Sequence, residues 1–83
     1  MLDKIIEWFP EDEILKADGF DNAIIGVSEG FNEPVRLIYS VKKCVNILMA
    51  DMTEEDALEH FYHNIKGAYM GEKTPIWCID DLQ

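Results

Sequence analysis

The sequence predicts an α+β fold: a small, mainly antiparallel three-stranded sheet with helices packed on one face. Three observations predict it. Helical and strand patterns follow one another as α-β-β-α-α-β instead of alternating, which favours helices laid on one side of a sheet. Two apolar segments, 22–28 and 35–39, are separated by a loop so short that an antiparallel hairpin is the simplest join. The two segments after them each carry a single apolar stripe at helical spacing. All 83 residues read as one domain, with an N-terminal helix and acidic turn over 1–17 and a core over 18–80. A chain this short buries only a little more than ~60% of its unfolded surface, so it depends on dense packing or on a partner.

Each element has a local reason. Leu2, Ile5, Ile6 and Phe9 fall on one helical face and Pro10 stops the helix, with Ile14–Leu15 starting a further helical turn that ends at Asp18–Gly19. The nearly continuous apolar run 23–27 predicts a central strand, and Gly26 within it predicts a bulge or a close backbone approach. Ser40 is placed to cap the next helix, whose stripe is Val41, Cys44, Val45, Leu48 and Met52. Thr53 opens T-E-E-D, close to a capping box, and the acids of that first turn suit the positive end of the helix dipole. The stripe Leu58, Phe61, Tyr62, Ile65 and Tyr69 is expected in the core, with Gly71 as the C-terminal cap and a third strand over 75–80. Trp8, Tyr69 and Trp77 are expected to be core aromatics; an exposed Trp8 would instead anchor a partner or a second subunit.

Charge excludes some functions and localises others. Seven basic residues against 17 acidic give −10 at neutral pH, a poor basis for binding nucleic acid through its phosphates. An apolar fraction of 48% is too high for a disordered acidic tail. No apolar run is long enough to span a bilayer and no secretory leader opens the sequence, so a cytoplasmic protein is expected, with Cys44 and Cys78 as buried, reduced thiols. The charge is uneven: residues 1–34 carry −7, residues 35–50 carry +3 from Arg36, Lys42 and Lys43, and residues 51–83 carry −6. The plainer reading pairs this basic island with neighbouring carboxylates. The functional reading makes it a contact site for an anionic ligand or for the acidic surface of another copy. The acidic surface reads first as a solubility device, and second as an imitation of a phosphate backbone.

The candidate chemistry is sparse. Asp56, His60 and His63 share a helical face and offer a carboxylate and two imidazoles to a divalent metal, but not at the spacing of H-E-x-x-H. A solvated polar face is the plainer account. Asp18 and Asp21 bracket Gly19–Phe20; paired carboxylates can do acid–base work, yet Asp and Gly also simply make a turn. Ser28 lies in G-V-S-E-G, which matches G-x-S-x-G in letters only, since a strand leading into a helix is required there and a loop follows.

Three stretches together, D-G-F-D-N-A-I-I-G-V at 18–27, Y-S-V-K-K-C-V-N-I-L-M at 39–49 and T-E-E-D-A-L-E-H-F-Y-H-N-I-K-G-A-Y-M-G-E-K-T-P-I-W at 53–77, resemble a group of small uncharacterised proteins encoded by bacteriophages and prophages. The resemblance implies expression in the cytoplasm of a bacterial host and carries no catalytic residue across. It favours a non-enzymatic protein that binds a bacterial host or phage protein, in the manner of an inhibitor of a host factor or defence system, with self-association as an accompaniment. Tentative binding residues are Arg36, Lys42, Lys43, Trp8, Asp18 and Asp21; no cofactor is expected. The alternatives are a nucleotide or anion binder using the 35–50 island with Gly26 and the Tyr39–Ser40 junction, and a small metal-binding protein or enzyme.

Overall fold

The computed structural model describes residues 1–68 and 71–80. Helix α1 (Leu2–Trp8) closes at Phe9, since Pro10 has no N–H to continue the ladder. It puts Ile5 into the core, with Leu2 and Phe9 packed beside it. The helical turn expected at Ile14–Leu15 does not form. Residues 13–17 run as an irregular strap, because a lone apolar pair is too short to offset the cost of nucleating a helix. Ile14 and Ala17 pack on the core, and the Ala17 N–H donates to the Tyr39 hydroxyl at 2.8 Å. Gly19, at φ +89°, makes the turn that sends Phe20 inward. One 3-10 turn, Asp21–Ala23, then leads into β1.

Strands β1 (Ile24–Ser28) and β2 (Arg36–Ser40) form the expected antiparallel hairpin, with Ile24 opposite Tyr39 and Ser28 opposite Arg36. The ladder slips between Ile24 and Gly26, where the glycine predicted an irregularity. This slip explains a misreading. A continuous apolar run suggested a central strand, but β2 is central and β1 lies at the edge. With one residue bulged out, Ile24 and Val27 both turn to the core although they are three apart.

The sheet is α+β as expected but mixed, not purely antiparallel. Strand β3 (Ile76–Cys78) pairs parallel with β2, placing Trp77 beside Tyr39 and Cys78 beside Ser40. Two helices lie between β2 and β3, and a crossover of that kind is what returns a strand in the parallel sense.

Helix α2 (Val41–Leu48) is capped by Ser40, whose Oγ accepts from the Lys43 N–H at 3.0 Å, and it buries Val41, Cys44 and Val45. The helix ends before Met52, which still packs against the core. Helix α3 (Glu54–His60) is capped by Thr53, whose Oγ1 accepts from the Asp56 N–H at 3.2 Å. It runs directly into a π turn, Phe61–Ile65, closed by the Lys66 N–H donating to the Phe61 carbonyl at 2.8 Å. Here the expected stripe is corrected. Ala57 and Phe61 are fully buried, whereas Leu58 and Tyr62 are 38% and 41% exposed. Tyr69, the last member of that stripe, and the tail 81–83 lie outside the described residues. Gly71 has the left-handed backbone of a cap, φ +92°, but it opens the turn before β3; the helix has already ended at Ile65.

Leu37 and Tyr39, two apart on β2, face one side and meet Ile5, Cys44, Val45, Ala57 and Phe61 from the three helices in a single core cluster. Its centre is aromatic: Trp77 stands 5.1 Å from Tyr39 and 5.4 Å, edge-on, from Phe61. Contacts of this kind add ~0.5–1.5 kcal/mol beyond burial.

Candidate functional site

At the junction of β2 and α2 a hook ties the end of the sheet to the first turn of the helix. The buried Ser40 hydroxyl donates to Asp80 Oδ2 at 2.5 Å, while Asp80 Oδ1 accepts from the Lys42 N–H at 3.2 Å. A helix N-terminus presents unpaired N–H groups, and a carboxylate there is favoured both by hydrogen bonding and by the helix dipole. The Ser40 hydroxyl first, then the Lys42 N–H and the Lys42 charge, hold the Asp80 carboxyl below its ordinary range.

The hook sets Ile79 and Asp80 beside α2, and between them and α3 lies a cleft of about 330 Å³. Val41, Val45 and Met49, four residues apart on α2, line one wall; Leu58 and Tyr62, four apart along α3 and its π turn, line the other. Ile79 contributes apolar surface at the hooked end, and Lys42, Asn46, Glu54 and Asp80 supply the polar groups. Met49, Leu58, Tyr62 and Ile79 are half of the exposed large hydrophobics among the described residues, and they converge here.

At the start of the π turn, Tyr62 continues the exposed side of α3 set by Leu58 four residues earlier. Phe61 remains in the core while the next ring stands edge-on to it, with centroids 5.3 Å apart, and the Lys66 ammonium sits 5.4 Å from the Tyr62 centroid. Gly67 fits the end of this turn: a Cβ there would meet the His63 and Tyr62 carbonyls at 3.3 and 3.6 Å. Such turns are rare and are frequently found at functional sites.

The predicted binding residues do not come together. The Arg36 guanidinium donates through Nε to the Thr74 carbonyl at 2.6 Å and lines a separate cleft with Glu33 and Glu72. Lys42 lines the α2–α3 cleft, and Lys43 is exposed on α2. The basic island is therefore dispersed, and the α2 N-terminus already holds a carboxylate of the chain's own. Trp8 is not the core aromatic expected: at the exposed C-terminal end of α1 it is 78% exposed, the alternative that suits a partner contact, and it borders a shallow cleft with Lys4, Ile5, Phe9, Val27 and Glu29.

Asp18 and Asp21 serve the turn around Phe20, with Asp21 3.4 Å from the Lys16 ammonium. Their nearest chemical consequence is on Tyr39. Burial pushes its phenol up, the Ala17 N–H opposes this, and the two carboxylates add to the rise. Asp56, His60 and His63 do share an exposed face, in a shallow cleft with Glu59 and Asn64, and His60 Nδ1 lies 3.3 Å from Asn64 Nδ2. Among the described residues, however, no three His, Cys, Asp or Glu side chains are arranged to hold a metal ion. Ser28 ends an edge strand before the hairpin loop, not at a strand-to-helix elbow.

Both cysteines are free; Cys44 is buried as expected, but Cys78, on the short edge strand β3, is only half-buried. Burial first, and the Asp80 charge second, push the Cys44 thiol up to about 12, so it is inert as a nucleophile at neutral pH. Among the described residues no helix is long and apolar enough to cross a membrane.

No family model, no curated protein and no solved structure matches the chain. The phage resemblance rests on its three motifs alone.

Proposed function

We propose that this chain is a non-enzymatic protein-binding domain and that the cleft between α2 and α3 is its contact surface. One observation carries the reading: four exposed large apolar side chains, two of them on helical faces expected to be buried, converge on one groove beside a π turn. Clustered exposed apolar surface with a polar rim is the usual mark of a protein contact. A bacterial host factor, blocked by the contact, is the partner class that the phage resemblance implies.

A photo-crosslinking amino acid at position 62 tests this in bacterial cells, with position 63 on the opposite exposed face as the control. The expected result is a discrete adduct from 62 that 63 does not give; a monomer with no position-dependent adduct overturns the reading. An adduct at twice the chain's own mass would identify the partner as a second copy.

A further inference from the structure

Resting on that reading, the geometry points to one class of occupant: we propose that the α2–α3 groove seats an amphipathic helical segment of the partner, about two turns long, with Lys or Arg at the end that meets the α2–α3 turn. Shape supports this. The apolar floor from Val41 to Met49 runs about 12 Å along α2, at ~1.5 Å per residue, and that is the length of about eight helical residues. Its walls repeat every four residues, Val41–Val45–Met49 against Leu58–Tyr62, so a docked helix meets them with anchors at i, i+3 or i+4, and i+7.

Charge gives the direction. At the turn end the groove is bounded by Glu54, with the exposed Asp51, Glu55 and Asp56 as sequence neighbours. Glu54 makes no ion pair among the described residues, whereas at the hooked end both Asp80 oxygens are already hydrogen-bonded. Among the described residues, the groove-lining carboxylate with no hydrogen bond or ion pair is therefore Glu54, at the turn end, while Lys42 brings a positive charge to the hooked end. A second copy is a poor occupant. It brings another −10, and its helix α1 carries Asp3 and Glu7 against the single base Lys4.

The probe is a fluorescently labelled twelve-residue peptide of Leu, Ala and Lys, with Leu at i, i+4 and i+7 and the lysines at one end. Its controls are a scrambled peptide of the same composition and one with Glu for Lys. Anisotropy titration of the full chain should show the patterned peptide about tenfold tighter than the scrambled one. Tyr62→Ser and Leu58→Ser, both partly exposed positions, should each weaken it by about tenfold with the cooperative melting transition retained. Glu54→Lys should weaken it well beyond Glu59→Lys, which changes the net charge equally but lies in the His60–His63 cleft. Equal binding of patterned and scrambled peptides, or equal loss from Glu54→Lys and Glu59→Lys, overturns the proposal and leaves only diffuse attraction to an acidic chain. Position 62 adducts that persist beside a failed peptide mean the protein-binding reading stands and the helical, basic occupant falls; loss of both removes the reading as well.

Discussion

Phe61 and Tyr62 are adjacent, both aromatic and in edge-on contact, yet they belong to opposite regions. Phe61 closes the sealed core under β2, with Trp77 and Tyr39 around it. Tyr62 opens onto the groove between α2 and α3. The two regions draw on the same residue types, so composition does not separate them. What separates them is register, since Phe61 continues the buried Ala57 line and Tyr62 the exposed Leu58 line, each four residues on. An apolar side chain in this protein thus has two fates, and only the sealed one contributes its full burial to stability.

The contrast can be broken most severely from the core side. Phe61→Ala should destabilise by about 3–5 kcal/mol, enough to unfold much of a small domain, seen as loss of a cooperative thermal transition. Ser40→Ala removes the α2 cap and one bond of the Asp80 hook, and urea unfolding should show a loss of about 1–2 kcal/mol. Alkaline pH acts next. The Cys44 thiol titrates from 9.0 when unfolded to about 12 when folded, so above pH 9 the unfolded chain loses its proton first. Stability present below pH 9 should then fall by about 1 kcal/mol by pH 10, and Cys44→Ala should flatten that slope. Tyr39, raised the same way by burial, steepens the decline at still higher pH. The groove gives the smallest effect. Tyr62→Ser and Leu58→Ser should each cost about 1 kcal/mol or less in the same urea assay, since both side chains are partly exposed and Tyr62 gives up its edge-on contact with Phe61. A larger loss at either would place it in the core and erase the distinction.

Features written in local chemistry were legible in the sequence. Ser40 and Thr53 cap as their hydroxyls predict, and Gly26 marks the slip in β1. Features that depend on distant partners were not. The parallel sense of β3, against a mainly antiparallel expectation, is one of these, because its pairing is set by the two-helix crossover. Leu58 and Tyr62 satisfy the same periodic pattern as Phe61, and nothing in F-Y-H-N-I announces a π turn. The groove was hidden for the same reason, since its hooked end comes from Ile79 and Asp80, far along the chain from α2. Trp8 was legible as a conditional statement, and the structure supplies the condition.

The Ser40–Asp80 hook also has a consequence for how the chain is made. Its two ends are 40 residues apart. At about 5–20 residues per second, a ribosome delivers Asp80 about 2–8 s after Ser40. Before then β1 is the only strand available to pair with β2, and α2 lacks the carboxylate that completes its first turn. The parallel ladder, the aromatic centre at Trp77 and the groove's hooked end therefore share one requirement and can close only once β3 and Asp80 are present.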